Sequence, residues 1–283
     1  MNQSSYQAPD ISLQDFSAFK EYLEKACGIL LGDNKQYLVK SRLGRLMAEH
    51  KFETLGDLLK RLQSNAFSGL RQEVINAMTT NETLWFRDIH PYTIIQDRIF
   101  PELDERNRGG QLKIWSAACS SGQEPYSLSM LAEETRQKRL GALRGDIRIT
   151  ATDISTSILD QAKAGRYESL ALGRGLSPER LKRFFNQCGD GSWEVKREIK
   201  QRIDFRTLNL KDSYASLGTF DLVLCRNVLI YFSPELKADI LRRIHKTLKP
   251  GGFLMVGASE AVTGLNDIYE MIQCSPGIIY RAR

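Results

Sequence analysis

Residues 112–128 read LKIWSAACSSGQEPYSL, and this stretch indicates the fold class. An alternating apolar run, typical of a strand, meets a block of small residues and then the start of a helix. Pro125 suits the first helical position, where the missing N–H costs nothing. In an open parallel sheet, ligands bind at the carboxyl ends of the strands, near the point where the strand order reverses. The stretch therefore predicts a strand-to-helix turn against which a ligand lies, the alternative being a tight turn with no ligand.

Charged residues at this edge indicate what kind of ligand it would be. The turn lacks the G-x-G-x-x-G pattern, since Gly122 is its only glycine. Glu124 adds a negative charge, which disfavours a pyrophosphate at the start of the helix and favours a cation. Asp153 ends the second predicted strand, where an acid commonly accepts hydrogen bonds from ribose hydroxyls. The alternative is that Asp153 or Ser155 caps the following helix.

The chain from residue 111 onwards alternates β-like and helical runs, which predicts a mostly parallel sheet with helices on both faces. The predicted strands are LKIWSA, DIRITATD, RIDFRTLNL, FDLVLCRN and GFLMVGAS. Helices are predicted over residues 125–138, 155–165 and 234–248. Pro250 and the two glycines after it are expected to turn the chain into its strand. The segment YEMIQCSPGIIYRAR predicts an antiparallel hairpin.

Two other regions depart from this alternation. Residues 12–80 have apolar positions at helical spacing and predict four helices, the first with Ser12 as its N-cap and the others over residues 35–50, 55–63 and 67–78. Residues 177–205 combine a short helix, a GDGS turn and a strongly basic β-like stretch. We expect this second region to be a small inserted subdomain.

Composition excludes several classes of protein. The net charge of +6 favours an anionic partner without identifying one. Five cysteines without a CxxC pair argue against a disulfide framework or a zinc site, and favour a reducing compartment. The first residues do not resemble a signal peptide, and the longest apolar run is broken by Arg226 and Asn227. We therefore expect a cytoplasmic protein that does not insert into a membrane.

Five motifs together resemble the CheR family of chemotaxis protein-glutamate O-methyltransferases: TTNETLWFRD, WSAACSSGQEPYS, ATDIS, FDLVLCRNVLIYF and LKPGGFLMVGASE. The resemblance covers nearly the whole chain. It implies an α/β fold of the Rossmann-like class I methyltransferase type, with a mostly parallel seven-stranded sheet that ends in an antiparallel C-terminal hairpin. A small all-helical N-terminal domain and a small inserted β-subdomain complete the expected architecture.

The resemblance also implies a domain organisation. We expect residues 1–80 to form the helical domain and to recognise the substrate, and residues 81–110 to form a linker that contributes to the donor site. Residues 111–283 would bind S-adenosyl-L-methionine, with the subdomain inserted at about residues 175–206. The product would be S-adenosyl-L-homocysteine, and the acceptor a glutamate side chain of a bacterial chemoreceptor.

The family's site positions carry over onto the matching motifs. The resemblance implies that the donor is bound by Asn81, Thr83, Arg87, Glu124, Asp153, Asn209, Leu210, Arg226 and Asn227. It implicates Arg87 and Tyr231 in placing the reacting groups, and no metal. A glutamate is already ionised near neutral pH, so no general base is required. Catalysis should then depend on orientation and on the exclusion of water.

Receptor recognition is predicted to involve the second helix. Arg42 and Arg45 lie three residues apart on one face of it and could contact the acidic methylation helices of receptors, the alternative being a solvated face. The turn QCGDGSWEVK is shorter than in family members that dock on a C-terminal receptor pentapeptide. We therefore expect no pentapeptide tether, and a monomeric enzyme.

Two other functions compete with this interpretation. A nucleic-acid methyltransferase that acts on a base nitrogen often has an Asn/Asp-Pro-Pro-aromatic motif after its fourth strand, whereas this chain has RNVLIY there. We therefore expect no nucleic-acid partner. A non-catalytic regulator that binds the donor remains open, although the retained Arg87 and Tyr231 argue against it.

Overall fold

The computed structural model describes residues 11–64, 68–138 and 143–283. This part of the chain divides into two compact units. The first contains the residues up to Thr80 together with Tyr231–Ser233, and the second contains Asn81–Ile230 and Pro234–Arg283. Within the described residues, no helix is long and apolar enough to cross a membrane.

The first unit is helical, as predicted. Its helices are α1 (Leu13–Cys27), α2 (Gln36–Glu49), α3 (Leu55–Gln63) and α4 (Ser68–Met78). Ser12 caps α1, because its hydroxyl accepts the Asp15 N–H at 3.0 Å. Thr54 caps α3 in the same way, through the Asp57 N–H at 3.1 Å. The predicted start of the fourth helix at Phe67 lies outside the described residues.

The second unit opens with short helices and continues with alternating strands and helices. The opening helices are α5 (His90–Ile94), a π-helical turn at Ile95–Ile99 and α6 (Phe100–Arg106). The first half of the sheet then contains β1 (Leu112–Ala117), α7 (Gln123–Lys138), β2 (Ile147–Asp153) and α8 (Thr156–Ala164). The second half contains β6 (Ile203–Thr207), β7 (Phe220–Cys225), α12 (Pro234–Thr247), β8 (Leu248–Val256), β9 (Tyr269–Gln273) and β10 (Ile278–Ala282), with single 3₁₀ turns at Ala215–Leu217 and Leu229–Tyr231.

The seven strands form one sheet in the order β6-β2-β1-β7-β8-β10-β9. The first five strands of that order are parallel, and β10 is antiparallel to both of its neighbours. Chain order proceeds from β1 outward to β2 and β6, and then returns to the other side of β1 with β7. The strand order thus reverses beside β1, which places the ligand edge of the sheet at the predicted turn. The predicted fold class is confirmed.

The predicted turn at Pro250 is wrong. Strand β8 begins at Leu248 and includes Pro250, Gly251 and Gly252. Its pairing with β7 shifts register between Phe220 and Leu222, and Gly251 has a φ of 70°. A proline cannot donate to a neighbouring strand, so it is accommodated in a bulge rather than ending the element.

A second sheet of three antiparallel strands, in the order β3-β5-β4, includes the inserted region but begins earlier than predicted, because β3 precedes residue 175. Its strands are β3 (Arg166–Tyr167), β4 (Phe185–Gln187) and β5 (Trp193–Val195). Its helices are α9 (Ser169–Leu172), α10 (Pro178–Phe184) and α11 (Arg197–Lys200). The basic stretch after β5 is therefore a helical turn and not the strand that the sequence suggested.

Trp85 joins the start of the second unit to the three-stranded sheet. Its ring is fully buried and lies edge-on to Tyr167 and Phe185, at centroid distances of 4.9 and 5.4 Å. Its indole N–H donates to the Ala171 carbonyl at 3.1 Å. Buried aromatic pairs of this kind stabilise beyond the area that they bury. The segment that precedes α5 is thereby fixed to the core.

A buried carboxylate ties together the strands at the opposite edge of the sheet. Asp221 is fully buried at the start of β7. It accepts the Lys113 N–H from β1 at 2.8 Å and the Lys249 ammonium from β8 at 2.8 Å. Asn107 donates to the same carboxylate at 3.1 Å. Its loss would leave a buried N–H without a partner.

We expect Asp221→Ala to lower the free energy of unfolding of the second unit by about 3 kcal/mol. Urea denaturation followed by tryptophan fluorescence measures this, since Trp85, Trp115 and Trp193 all lie in that unit. Asp204→Ala is the control: it removes an exposed ion pair with Arg206 and should cost less than about 1 kcal/mol. Equal losses for the two variants would contradict the structural role of Asp221.

Candidate functional site

Four adjacent parallel strands bring most of the predicted site residues to one edge. Strands β6, β2, β1 and β7 are neighbours in the sheet, and their last residues are in register: Ala117 pairs with Thr152 and with Cys225, and Asp153 pairs with Thr207. The carboxyl ends of these strands therefore meet. The residues that follow them are those that the motifs singled out.

The turn after β1 explains its small residues. Ala118, Ser120 and Gly122 have positive φ angles of 58°, 51° and 94°. A Cβ on Gly122 would lie 3.1 Å from side-chain atoms of Ala162 and Tyr126. Glycine is thus required at this position both by its backbone conformation and by close packing. The turn packs closely against Ala162 and Tyr126, which leaves no room for a larger residue at Gly122.

Asp153 organises two turns at once. Its Oδ2 accepts the Ser120 N–H at 2.8 Å, and its Oδ1 accepts the Ser155 N–H at 2.9 Å. Ser155 is the N-cap of α8 by position but makes no side-chain cap bond, and Asp153 binds the N–H of this N-cap residue. Burial raises the pKa of Asp153 above its ordinary value, and the backbone N–H donors offset this only in part. The Ile154 N–H is a third backbone donor to this carboxylate, and since a carboxylate has about four acceptor positions, about one is left for a further donor.

Arg226 is the centre of a buried ionic network. Its side chain is 2% exposed, and it donates to Asp88 Oδ2 at 2.7 Å and to Glu124 Oε2 at 3.1 Å. A third bond goes to the Arg87 carbonyl at 3.0 Å. Burial alone would lower the pKa of Arg226, but the neighbouring Glu124, Tyr92 and Asp88 raise it. One guanidinium between two carboxylates leaves this group of three side chains with an excess of one negative charge.

Glu124 is positioned by more than the arginine. Its Oε1 accepts the Ser116 hydroxyl at 2.8 Å, and Ser116 is a fully buried residue of β1. The carboxylate thus has one partner on β1 and one directly after β7. It is held in a fixed orientation at the start of α7, with 12% of its side chain exposed.

The segment that carries Arg87 is strained. Phe86, Asp88 and Ile89 have positive φ angles of 47°, 69° and 55°, which side-chain-bearing residues rarely adopt. Contacts hold the segment in place: the Phe86 N–H donates to Ser127 Oγ at 3.1 Å, and Arg226 binds the next two residues. Arg87 itself is half-buried and donates to the Glu82 carbonyl at 3.3 Å.

The other predicted donor positions in this unit also lie on turns. Asn81 accepts the Ser120 hydroxyl at its carbonyl at 2.7 Å, and Thr83 follows on the same segment, half-buried. Asn209 forms a turn after β6, in which its side-chain oxygen accepts the Lys211 N–H at 3.0 Å. Leu210 is buried next to it, and Asn227 follows β7 with a φ of 59°.

Three predicted residues belong to the helical unit. Tyr231 lies there with its carbonyl bonded to the Leu30 N–H at 2.9 Å. Arg42 donates to the Thr79 carbonyl at 3.1 Å and to the Thr80 hydroxyl at 2.9 Å, beside a further bond to the Met78 carbonyl. It therefore caps the carboxyl end of α4.

Arg45 differs from Arg42 in its surroundings. Its side chain is 90% exposed and pairs with Glu49, one helical turn further along α2, at 2.7 Å. The two arginines that the sequence placed on one face thus have different partners, one being bound to backbone carbonyls and the other to a surface carboxylate.

Sequence reasoning missed two carboxylates at the site. Asp88 follows Arg87 directly, and the expectation that a buried arginine must be paired could have indicated it. Glu260 accepts the Asn227 N–H at 2.7 Å, but its motif gave no local signal of that contact. Among the described residues, no group of three His, Cys, Asp or Glu side chains could hold a metal ion.

The arrangement fits a cationic ligand that carries hydroxyl groups. The network around Arg226 is negative overall, and the Arg226 Nε is buried without a hydrogen-bond partner among the residues that the structure describes. Asp153 offers carboxylate lone pairs at the neighbouring strand end. An anionic ligand would find two carboxylates here that repel it.

Comparison with known proteins identifies the family. The all-alpha domain of CheR methyltransferases matches residues 14–79, and the SAM binding domain of CheR methyltransferases matches residues 81–278. The chain is 60% identical to chemotaxis protein methyltransferase 1 of Pseudomonas aeruginosa, over 95% of this chain and 98% of that protein. It is 53% identical to the chemotaxis protein methyltransferase of Vibrio anguillarum, over 96% of this chain and 98% of the relative.

A more distant relative extends the match. The chain is 37% identical to the chemotaxis protein methyltransferase of Escherichia coli, over 87% of this chain and 83% of that protein. Both domain matches and all three relatives agree with the resemblance of the motifs, and S-adenosylmethionine is the cofactor of the matched domain. The chain therefore belongs to the CheR family of SAM-binding chemotaxis methyltransferases.

Proposed function

We propose that this protein transfers the methyl group of S-adenosyl-L-methionine to glutamate carboxylates of bacterial chemoreceptors and so forms methyl esters. The supporting observation is the excess negative charge around Arg226 at the carboxyl edge of the sheet, beside the Asp153 carboxylate. A sulfonium donor with an α-amino group and ribose hydroxyls is complementary to both features. The high identity to chemotaxis protein methyltransferases supports the receptor as the acceptor.

The donor would be held by groups from several strand ends. Asp153 would accept a ribose hydroxyl, since about one acceptor position of its carboxylate is left beside the three backbone donors. Glu124, fixed by Ser116 and Arg226, would face the positive end of the donor. The remaining proposed contacts come from Asn81, Thr83, Arg87, Asn209, Leu210, Arg226 and Asn227. When bound, the donor supplies an electrophilic methyl group on a positively charged sulfur.

The acceptor makes few chemical demands on the chain. A glutamate carboxylate has a reference pKa of about 4.3 and is ionised near neutral pH, so no residue has to remove a proton. We propose that Arg87 and Tyr231 orient the acceptor oxygen and exclude water from it. Positioning of this kind contributes about 7–11 kcal/mol to intramolecular reactions. A strong hydrogen bond to the attacking oxygen would reduce its nucleophilicity, so orientation is the larger role.

We further propose how the rest of the chain serves this reaction. The helical residues before Asn81 would recognise the receptor, and residues 81–110 would contribute to the donor site. The enzyme would act in the cytoplasm as a monomer, where receptor methylation helices are accessible. The turn at Asp190 is closed by bonds from Ser192 and Arg166, and we propose that it takes no receptor pentapeptide.

The experiment that tests the proposed function uses receptor-containing membranes and donor with a radiolabelled methyl group. We expect label to enter the receptor and to be released by mild alkali, because a carboxyl methyl ester is base-labile. Label that resists alkali would contradict ester formation. Donor binding without any methyl transfer would favour a non-catalytic regulator. Transfer of label to nucleic acid would favour a nucleic-acid methyltransferase.

The pH dependence of donor affinity tests Asp153. Burial raises the pKa of Asp153, so its carboxylate becomes protonated at a higher pH in the folded protein than in the unfolded chain. As the pH falls through this raised pKa, the carboxylate loses its charge, and the free-energy cost of burying that charge disappears. Ribose hydroxyls donate to the ionised form, so S-adenosylhomocysteine affinity should fall over that same interval. Asp153→Asn should weaken binding about tenfold at neutral pH and remove the dependence.

Calorimetric titrations at several pH values measure this effect. Asp160→Asn is the matched control, since Asp160 is an exposed residue of α8 that pairs with Lys163. It should bind like the unchanged protein. Parallel pH profiles for the unchanged protein and Asp153→Asn would show that Asp153 does not hold the ribose.

Receptor recognition is best tested at Arg45 alone. Reversal of charge at Arg42 would also remove the cap of α4, so its effect could not be assigned to the receptor. We expect Arg45→Glu to raise the KM for receptor several-fold, an effect that weakens as salt screens the charges. Donor affinity should not change.

Glu49→Gln provides the control, because it frees Arg45 from its surface partner without reversing a charge on the arginine. This variant should methylate receptor at least as well as the unchanged protein. A free receptor C-terminal pentapeptide should bind weakly. Tight pentapeptide binding together with a harmless Arg45→Glu would place recognition on the basic region around residues 193–202 instead.

A further inference from the structure

Glu260 collects backbone N–H groups from two turns at the site edge. Its Oε2 accepts the N–H of Asn227 at 2.7 Å and that of Gly257 at 2.7 Å. Its Oε1 accepts the N–H of Ile230 at 3.3 Å. Asn227 and Ile230 belong to the turn after β7, and Gly257 follows β8. Backbone donors to a carboxylate are among the stronger hydrogen bonds in proteins.

The packing of Glu260 and Asn227 against Gly257 leaves no room for a side chain at that position. A Cβ on Gly257 would lie 2.6 Å from Glu260 Oε2 and 2.9 Å from both the backbone nitrogen and the side-chain nitrogen of Asn227. No real side chain tolerates such contacts. Glycine at position 257 therefore allows Glu260 and the turn that carries Asn227 to pack closely together.

The backbone of Asn227 needs this support. Its φ of 59° lies in the left-handed region, which residues with a Cβ seldom adopt. The bond from its N–H to Glu260 fixes the peptide group between Arg226 and Asn227. The directions in which these two side chains leave the chain are set by that peptide: Arg226 towards Glu124 and Asp88, and Asn227 at the end of β7.

We propose that Glu260 is a positioning residue of the donor site. It holds the turn after β7 in its left-handed conformation, so that Asn227 is presented to the donor. The inference rests on the proposed donor-binding role of Asn227. In this role Glu260 acts through the backbone N–H groups that it binds, and the donor contact is made by Asn227.

A competing role for Glu260 follows from its other surroundings. Together with Ile230, Lys237 and Leu241 it lines a cavity of about 340 Å³. A residue that bound the acceptor there would change the KM for receptor and leave donor affinity alone. The positioning role predicts the reverse, a loss of donor affinity.

The first test measures S-adenosylhomocysteine affinity by calorimetry, together with the melting temperature. We expect Glu260→Ala to weaken binding about tenfold or more. Glu260→Gln should restore affinity to within about threefold of the unchanged protein, because one amide oxygen can accept both bonds of Oε2. Glu270→Ala is the control and should bind normally, since Glu270 is half-exposed on β9 and lies 3.8 Å from Arg281.

A double-mutant cycle separates positioning from general stability. Asn227→Gly adopts a positive φ freely and lacks the side chain, so Glu260→Ala should cost little further donor affinity in that background. Additive losses would overturn the proposal, and so would a Glu260→Ala protein that binds the donor normally or changes only the KM for receptor.

One further variant keeps the test decisive if Glu260→Ala does not fold. Gly257→Ala retains the carboxylate but displaces it, and should also weaken S-adenosylhomocysteine binding; normal binding by this variant would overturn the proposal. If the unchanged protein itself did not bind S-adenosylhomocysteine, the proposed donor site would fail, and that outcome is distinct from failure of the Glu260 role.

Discussion

The ion pairs of Arg226 are the interaction on which the site depends. A guanidinium with 2% of its surface exposed must be compensated, because an unpaired buried charge is far more costly than a buried pair is favourable. Three different parts of the second unit meet in these two ion pairs: Asp88 lies before the first strand, Glu124 at the start of α7, and Arg226 directly after β7. One charge requirement therefore fixes the relative positions of segments that are far apart in the sequence.

Strained backbone conformations at this edge are also held by contacts between distant parts of the chain. Phe86, Asp88 and Asn227 all have positive φ angles, and each is held by a hydrogen bond from or to a residue of another element. Backbone conformations of this sort persist only when their surroundings over-determine them. The edge is consequently preorganised, so ligand binding does not incur the conformational-entropy cost of ordering these turns.

The sheet could be predicted from local patterns, whereas much of the site's support could not. Alternating apolar runs and the small residues around Gly122 are properties of neighbouring positions, so they indicated β1 and its turn correctly. The bulge at Pro250 depends on how β8 pairs with β7, which periodicity does not encode. The contacts of Glu260 and Arg42 join residues far apart in sequence, so their donors and acceptors could not be matched from residue type alone.

The burial of Trp85 has a consequence for where the methyltransferase unit can be divided. A polypeptide that began at residue 111 would keep all seven strands, yet it would lose the indole that packs on Tyr167 and Phe185. It would also lose Asp88, which leaves Arg226 with a single carboxylate. A division that keeps these contacts therefore lies well before the first strand, and the second compact unit begins at Asn81. The segment before the sheet is thus a structural part of the methyltransferase unit and not only a connection to it.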